Sequence, residues 1–180
     1  MYKILVFPGD GIGVEVTKQA LRAVRKLGEM FHLVFEVEEE LLGGASIDKH
    51  GVPLTEAALK KAQNADAVFL GAVGGPKWDN VENAKRPEKG LLGLRKGLEV
   101  FANLRPVKLL SDLHRNSTLK EEVVKGLDFV IVRELCGGIY FGEPRGVTAL
   151  PGGGEKGINT EVYTTPEIER IAVKAFELAR

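Results

Sequence analysis

The chain has 180 residues, 44% hydrophobic and 28% charged, the proportions of a globular protein rather than a disordered one. Lys plus Arg and Asp plus Glu both number 25, so the basic excess needed for phosphate-backbone binding is missing and no nucleic-acid partner is expected. The longest apolar run, Ala67 to Gly75, closes at Pro76, well short of the roughly 20 residues that cross a bilayer, so no membrane partner is expected either.

A single Lys3 precedes only Ile4 to Phe7, too little for a secretory signal, and a cytoplasmic location is expected. Ile4-Leu5-Val6-Phe7 then ends in Gly9-Asp10-Gly11-Ile12-Gly13, the pattern of a strand buried on both faces that turns sharply into a helix. Val16, Ala20, Ala23, Val24 and Leu27 form one helical stripe that Gly28 can terminate. Phe31, Leu33, Phe35 and Val37 alternate with other residues as in a strand. After a Gly43-Gly44 turn and the Gly51-Val52-Pro53 break, Thr55 caps a short helix carrying Ala58, Leu59 and Ala62. Asp66 to Leu70 is the next buried strand, and a helix is expected over about Leu91 to Val100. Strands alternating with helices predict a mostly parallel sheet with helices on its faces.

Beyond Arg105-Pro106 the texture changes, which predicts a boundary near residue 100. Apolar Val107 to Leu110 and a polar stretch from Ser111 to Thr118 lead to a strand at Asp128 to Val132. Gly142 to Gly157, tipped by Pro151-Gly152-Gly153-Gly154, reads as an exposed hairpin or arm. Thr165 as N-cap and Pro166 at the first helical position open a helix with an apolar stripe from Ile168 to Ala179.

The glycines at 9, 11 and 13 give G-x-G-x-G, which misses the dinucleotide fingerprint G-x-G-x-x-G and fits a tight strand-to-helix turn. Gly71 to Trp78 follows a strand, but Pro76 and Trp78 break the phosphate-loop pattern, leaving either a cofactor turn or a plain one. Arg95, Arg105 and Arg133 have the planar fork that suits a small dicarboxylate. Taken alone, each is more often a surface ion-pair residue, with Asp128, Glu134 and Glu143 as nearby partners. Tyr140 reads by itself as a packing residue, and Cys136, the only cysteine, as a small buried hydrophobe. His32, His50 and His114 show neither metal spacing nor a triad.

GDGIG, GAVGGPKWD, RPEKGLLGLRKGLEVFANLRP and IVRELCGGIYFGEPRG, in this order, resemble the N-terminal half of the isocitrate/isopropylmalate dehydrogenase family. The resemblance implies an α/β fold distinct from the Rossmann fold: a mostly parallel sheet flanked by helices over residues 1–99, and the start of a second α/β domain over 100–180 with an extended arm at about 137–160. It implies NAD-dependent oxidation and decarboxylation of 3-isopropylmalate to 2-oxoisocaproate in leucine biosynthesis, assisted by Mg2+ or Mn2+, in a homodimer. Related enzymes act on tartrate, homoisocitrate or isocitrate, and a non-catalytic fragment that assembles with a partner is the reading from another class.

Carried over by position, Arg95, Arg105 and Arg133 match carboxylate-binding arginines, and Tyr140 matches the proton donor to the enol left by decarboxylation. Leu91 and Leu92 match the positions facing the isopropyl group, where isocitrate enzymes carry polar residues. The cofactor-side segment comprises Gly75, Pro76, Lys77, Trp78, Asp79, Asn80, Val81, Glu82, Asn83, Ala84, Lys85, Arg86, Pro87 and Glu88, with Glu88 near the nicotinamide. Family chains are roughly twice as long, and the resemblance places their metal-binding aspartates and lysine base in the later half, so no metal ligand is expected in this chain.

Overall fold

The computed structural model describes residues 1–109 and 113–180, with the side chains of all but Ala84, His114 and Arg115. The ends of the two stretches expected around Val107 to Thr118 that fall on Leu110, Ser111 and Asp112 lie outside the described residues. The chain divides into two compact units, Met1–Glu99 and Val100–Arg180.

In the first unit, β1 (Tyr2–Gly9) lies between β2 (Phe35–Glu39) and β3 (Ala67–Ala72), parallel to both. This central position explains why Leu5, Val6 and Phe7 form a continuous apolar run: both faces of the strand are covered, and all three are buried. Leu5 and Phe7 join Leu42, Ala58, Ala62 and Leu94 in the core. The turn out of β1 needs glycine at position 9, where φ is +76° and an added Cβ would stand 1.9 Å from the Ala72 carbonyl oxygen.

Helix α1 covers Ile12–Phe31 and runs through Gly28, contrary to the expected stop there. Gly28 is instead a contact glycine: a Cβ would lie 2.9 Å from the Leu33 oxygen and 3.3 Å from the Phe35 ring. The helix ends at His32 in the left-handed conformation, whose N–H bonds the Gly28 carbonyl, so β2 starts at Phe35 rather than Phe31. Directly after Gly43 of the expected Gly43-Gly44 turn, Gly44–His50 forms helix α2, which the sequence pattern does not signal. Helix α3 (Glu56–Gln63) begins as its sequence predicts, with Thr55 Oγ1 accepting the Ala58 N–H at 3.1 Å. Helix α4 covers Pro87–Gly97, starting earlier than expected because Arg86 is the N-cap and Pro87 the first helical residue.

In the second unit, β4 (Ala102–Lys108) and β5 (Asp128–Glu134) form an antiparallel ribbon, preceded at β5 by the short helix α5 (Glu121–Val124). Strand β6 (Gly146–Ala149) pairs with β7 (Glu155–Ile158) in a hairpin around Leu150–Gly154. Helix α6 (Thr165–Ala179) packs on β5. Its N-cap is Thr164 rather than Thr165, because the Glu167 carboxylate accepts both the Thr164 N–H at 2.7 Å and its hydroxyl at 2.8 Å. Glu134 anchors the unit: Oε2 accepts the N–H groups of Cys136 and Gly137 at 2.7 and 2.6 Å, and Oε1 meets Arg170 at 2.9 Å. No described helix is long and apolar enough to cross a membrane.

Candidate active site

Each unit contributes its own group of candidate residues. On α4, Glu88, Leu91, Leu92 and Arg95 stand at i, i+3, i+4 and i+7 and therefore share one helix face. The opposite face carries Gly90, pressed on the Pro53 carbonyl, and Leu94 in the core. A surface helix normally turns polar residues outward. Here two leucines, only partly buried, stand on the outward face between a carboxylate and a guanidinium.

The segment before this helix bends through two 3-10 turns, Pro76–Trp78 and Asn83–Lys85, and is largely exposed. At its start, Gly74 has φ +97° and faces Glu88, whose Oε1 lies 2.8 Å from where a Cβ would stand. Trp78, the only tryptophan, rests on Gly44, where a Cβ would come within 2.3 Å of the indole. Its Nε1 donates to Asp48 Oδ1 at 3.2 Å, and Lys77 Nζ donates to Asp48 Oδ2 at 2.5 Å. That lysine bond, ahead of the indole bond, holds the Asp48 carboxyl below the ordinary aspartate range. The side chain of Ala84 lies outside the described residues.

In the second unit, the register pairs Asn103 with Arg133 and Arg105 with Ile131. Opposed residues of an antiparallel pair share a face, so Asn103, Arg105 and Arg133 lie on the same side, the two arginines diagonal across the ribbon. Arg105 Nε donates to Asn103 Oδ1 at 2.9 Å. Arg133 donates to the Tyr140 hydroxyl, and its guanidinium carbon lies 5.6 Å from the centre of that ring. The three carboxylates that could have neutralised these arginines bind other cations: Asp128 meets Lys108 at 2.9 Å, Glu134 meets Arg170 at 2.9 Å and Glu143 meets Arg145 at 3.6 Å. Burial, and then the Glu134 charge, push the Cys136 thiol up, away from a reactive thiolate.

Sequence reasoning missed three residues around these groups: Asp10, Asp48 and Asn103. Asn103 is findable as the neighbour two before Arg105 on one strand face. The contacts of the two aspartates depend on segments far apart in sequence. Among the described residues, no group of three or more His, Cys, Asp or Glu could hold a metal ion.

The α/β architecture agrees with what the sequence matches: residues 3–180 fit the model of the isocitrate/isopropylmalate dehydrogenase family. The chain belongs to that family. It is 57% identical over 178 residues to a 3-isopropylmalate dehydrogenase of Paramagnetospirillum magneticum, a match covering 99% of this chain and 48% of the relative. A second 3-isopropylmalate dehydrogenase, from Aquifex aeolicus, is 55% identical over 179 residues, 99% of this chain and 49% of that one. Among solved structures, an isocitrate dehydrogenase of Methylococcus capsulatus superposes with a TM-score of 0.76 at 25% identity, over 100% of this chain and 48% of that one. A β-decarboxylating dehydrogenase of Thermococcus kodakarensis gives 0.64 at 30% identity, over 98% and 45%. The chain thus spans about half the length of the relatives it matches.

Proposed function

We propose that this chain is the N-terminal part of a 3-isopropylmalate dehydrogenase, with residues 1–99 and 100–180 belonging to its two domains. In this reading the complete protein is a cytoplasmic, homodimeric enzyme of leucine biosynthesis that uses NAD. The observation that carries the substrate is the outward leucine pair: Leu91 and Leu92 offer an apolar wall to a branched alkyl group, worth about 0.8 kcal/mol per buried methylene. A third carboxylate placed there would lose its hydration without gaining a partner.

Bound NAD would supply the hydride acceptor for oxidation of the hydroxyl-bearing carbon, and the hydroxyl proton would pass to water as the ketone forms. The segment from Gly75 to Glu88 would hold it, with Gly74 allowing the backbone to come close to Glu88. The carboxylate β to the new ketone then leaves as carbon dioxide, its bonding electrons forming an enolate. Arg95, Arg105 and Arg133 hold the carboxylates as bidentate forks. Among the described residues no group of three or more His, Cys, Asp or Glu could hold the Mg2+ or Mn2+ that the family resemblance implies. Tyr140 gives its phenol proton to the carbon of that enolate, which yields 2-oxoisocaproate and leaves a phenolate that water reprotonates. An arginine has donors only, so in the Arg133–Tyr140 bond the phenol oxygen accepts. Its own hydrogen remains available for donation.

Kinetics of the complete enzyme containing this segment test the reading. Tyr140→Phe keeps the ring and is expected to lower kcat by about 10²–10⁴-fold with a smaller change in KM. Leu92→Glu is expected to raise KM for 3-isopropylmalate roughly tenfold or more, the equivalent of about 1.4 kcal/mol, while KM for NAD hardly moves. Near-normal turnover of Tyr140→Phe removes the proton-donor role, and an unchanged KM in Leu92→Glu removes the substrate assignment.

A further inference from the structure

Two carboxylates outside the assigned site converge on the loop that leads into the cofactor-side segment. Asp10, in the turn after β1, is 4% exposed. Its Oδ2 accepts the N–H groups of Gly44 at 2.7 Å and Gly74 at 2.8 Å, and its Oδ1 accepts that of Ala45 at 2.7 Å. One buried carboxylate therefore ties the start of α2 to Gly74 near the beginning of the loop. From the exposed side, Asp48 of α2 takes Lys77 and the Trp78 indole N–H on separate oxygens. The indole closes the contact by packing against Gly44.

We propose that Asp10 and Asp48 are positioning residues that dock the Val73–Trp78 loop on helix α2 and thereby set Gly74 against Glu88. The proposal rests on the reading that the segment from Gly75 to Glu88 meets the cofactor. The two aspartates differ in what they could do otherwise. Asp10 satisfies buried donors, so its loss also affects the fold. Asp48 is exposed, and an exposed pair with lysine contributes little to folding; its consequence is where the loop tip sits.

The test starts with Asp48→Asn in the 180-residue chain, with Trp78 as the sole indole reporter. Docking predicts a red-shifted emission and stronger quenching by iodide, at unchanged far-UV circular dichroism and urea midpoint. Asp48→Glu, which keeps the charge and both acceptor oxygens, is expected to restore the wild-type spectrum. In the complete enzyme, Asp48→Asn is expected to raise KM for NAD several-fold and to leave KM for the hydroxy acid unchanged. Asp10→Asn, if it folds, should do the same more strongly, because an amide keeps one acceptor oxygen and turns N–H donors toward the backbone N–H groups. An unmoved Trp78 spectrum in Asp48→Asn overturns the docking. A moved spectrum with unchanged KM for NAD overturns the positioning role. A wild-type enzyme without NAD-dependent oxidation fails the functional reading instead, and a Trp78 shift in Asp48→Asn tells that failure from the first.

Discussion

Strands β1 and β5 carry nearly the same apolar pattern, Leu5-Val6-Phe7 in one and Phe129-Val130-Ile131 in the other, and the fold treats them differently. The first three residues are 2%, 0% and 0% exposed, whereas the second three are 45%, 46% and 47% exposed. β1 has a parallel neighbour on each side and helices over it; among the described strands β5 pairs with β4 alone, with α6 against it. An apolar run therefore reports strand formation, while burial depends on which segments cover it. The second unit is organised instead around a polar centre, Glu134, whose side chain is 9% exposed.

The largest expected effect falls where the first unit is densest. Phe7→Ala should destabilise it by about 3–5 kcal/mol, the usual cost of removing a fully buried ring, read as a lower urea midpoint of Trp78 fluorescence. Phe129→Ala in the second unit should cost less than about 1 kcal/mol, since nearly half of that side chain already meets water. Equal losses would break the contrast. The next largest effect should lie at the polar centre: Glu134→Ala removes two charge-assisted bonds to backbone N–H groups and the partner of Arg170. A loss of about 1.5–3 kcal/mol follows, measurable as faster hydrogen exchange at the Cys136 and Gly137 amides.

What was legible in sequence follows the same division between local and distant causes. The β1 turn, the cap of α3 at Thr55 and the helical stripe of α6 are read from adjacent residues, and the structure forms all three. Gly28 misled as a helix stop because its reason is a packing partner, Phe35, not a backbone requirement. Helix α2 was invisible because the carboxylate that holds its first N–H groups comes from Asp10, more than thirty residues earlier. At the candidate site, the spacing of Glu88, Leu91, Leu92 and Arg95 is legible. That this face turns outward is decided by Gly90 on Pro53 and Leu94 in the core. The placement of Arg105 diagonal to Arg133 likewise depends on the β4–β5 register, which no local pattern encodes.

The smallest expected effect is a spectroscopic one and separates the loop from the core beneath it. Asp48 is held below the ordinary aspartate value mainly by its bond from Lys77. A carboxyl depressed in the folded state contributes its interaction fully above the unfolded value of about 3.9, and loses it as pH falls through the lower folded value. The Trp78 spectrum should therefore stay constant from neutral pH to about 4 and shift to the red only below it. In the second unit Glu167, lowered by the Thr164 N–H, releases the first turn of α6 in the same acid window without touching Trp78. The core cluster around Leu5 and Phe7 is apolar, so the Trp78 shift should precede loss of far-UV circular dichroism as acid is added. A spectrum that moves only together with unfolding would show that the loop is held by the core and not by Asp48.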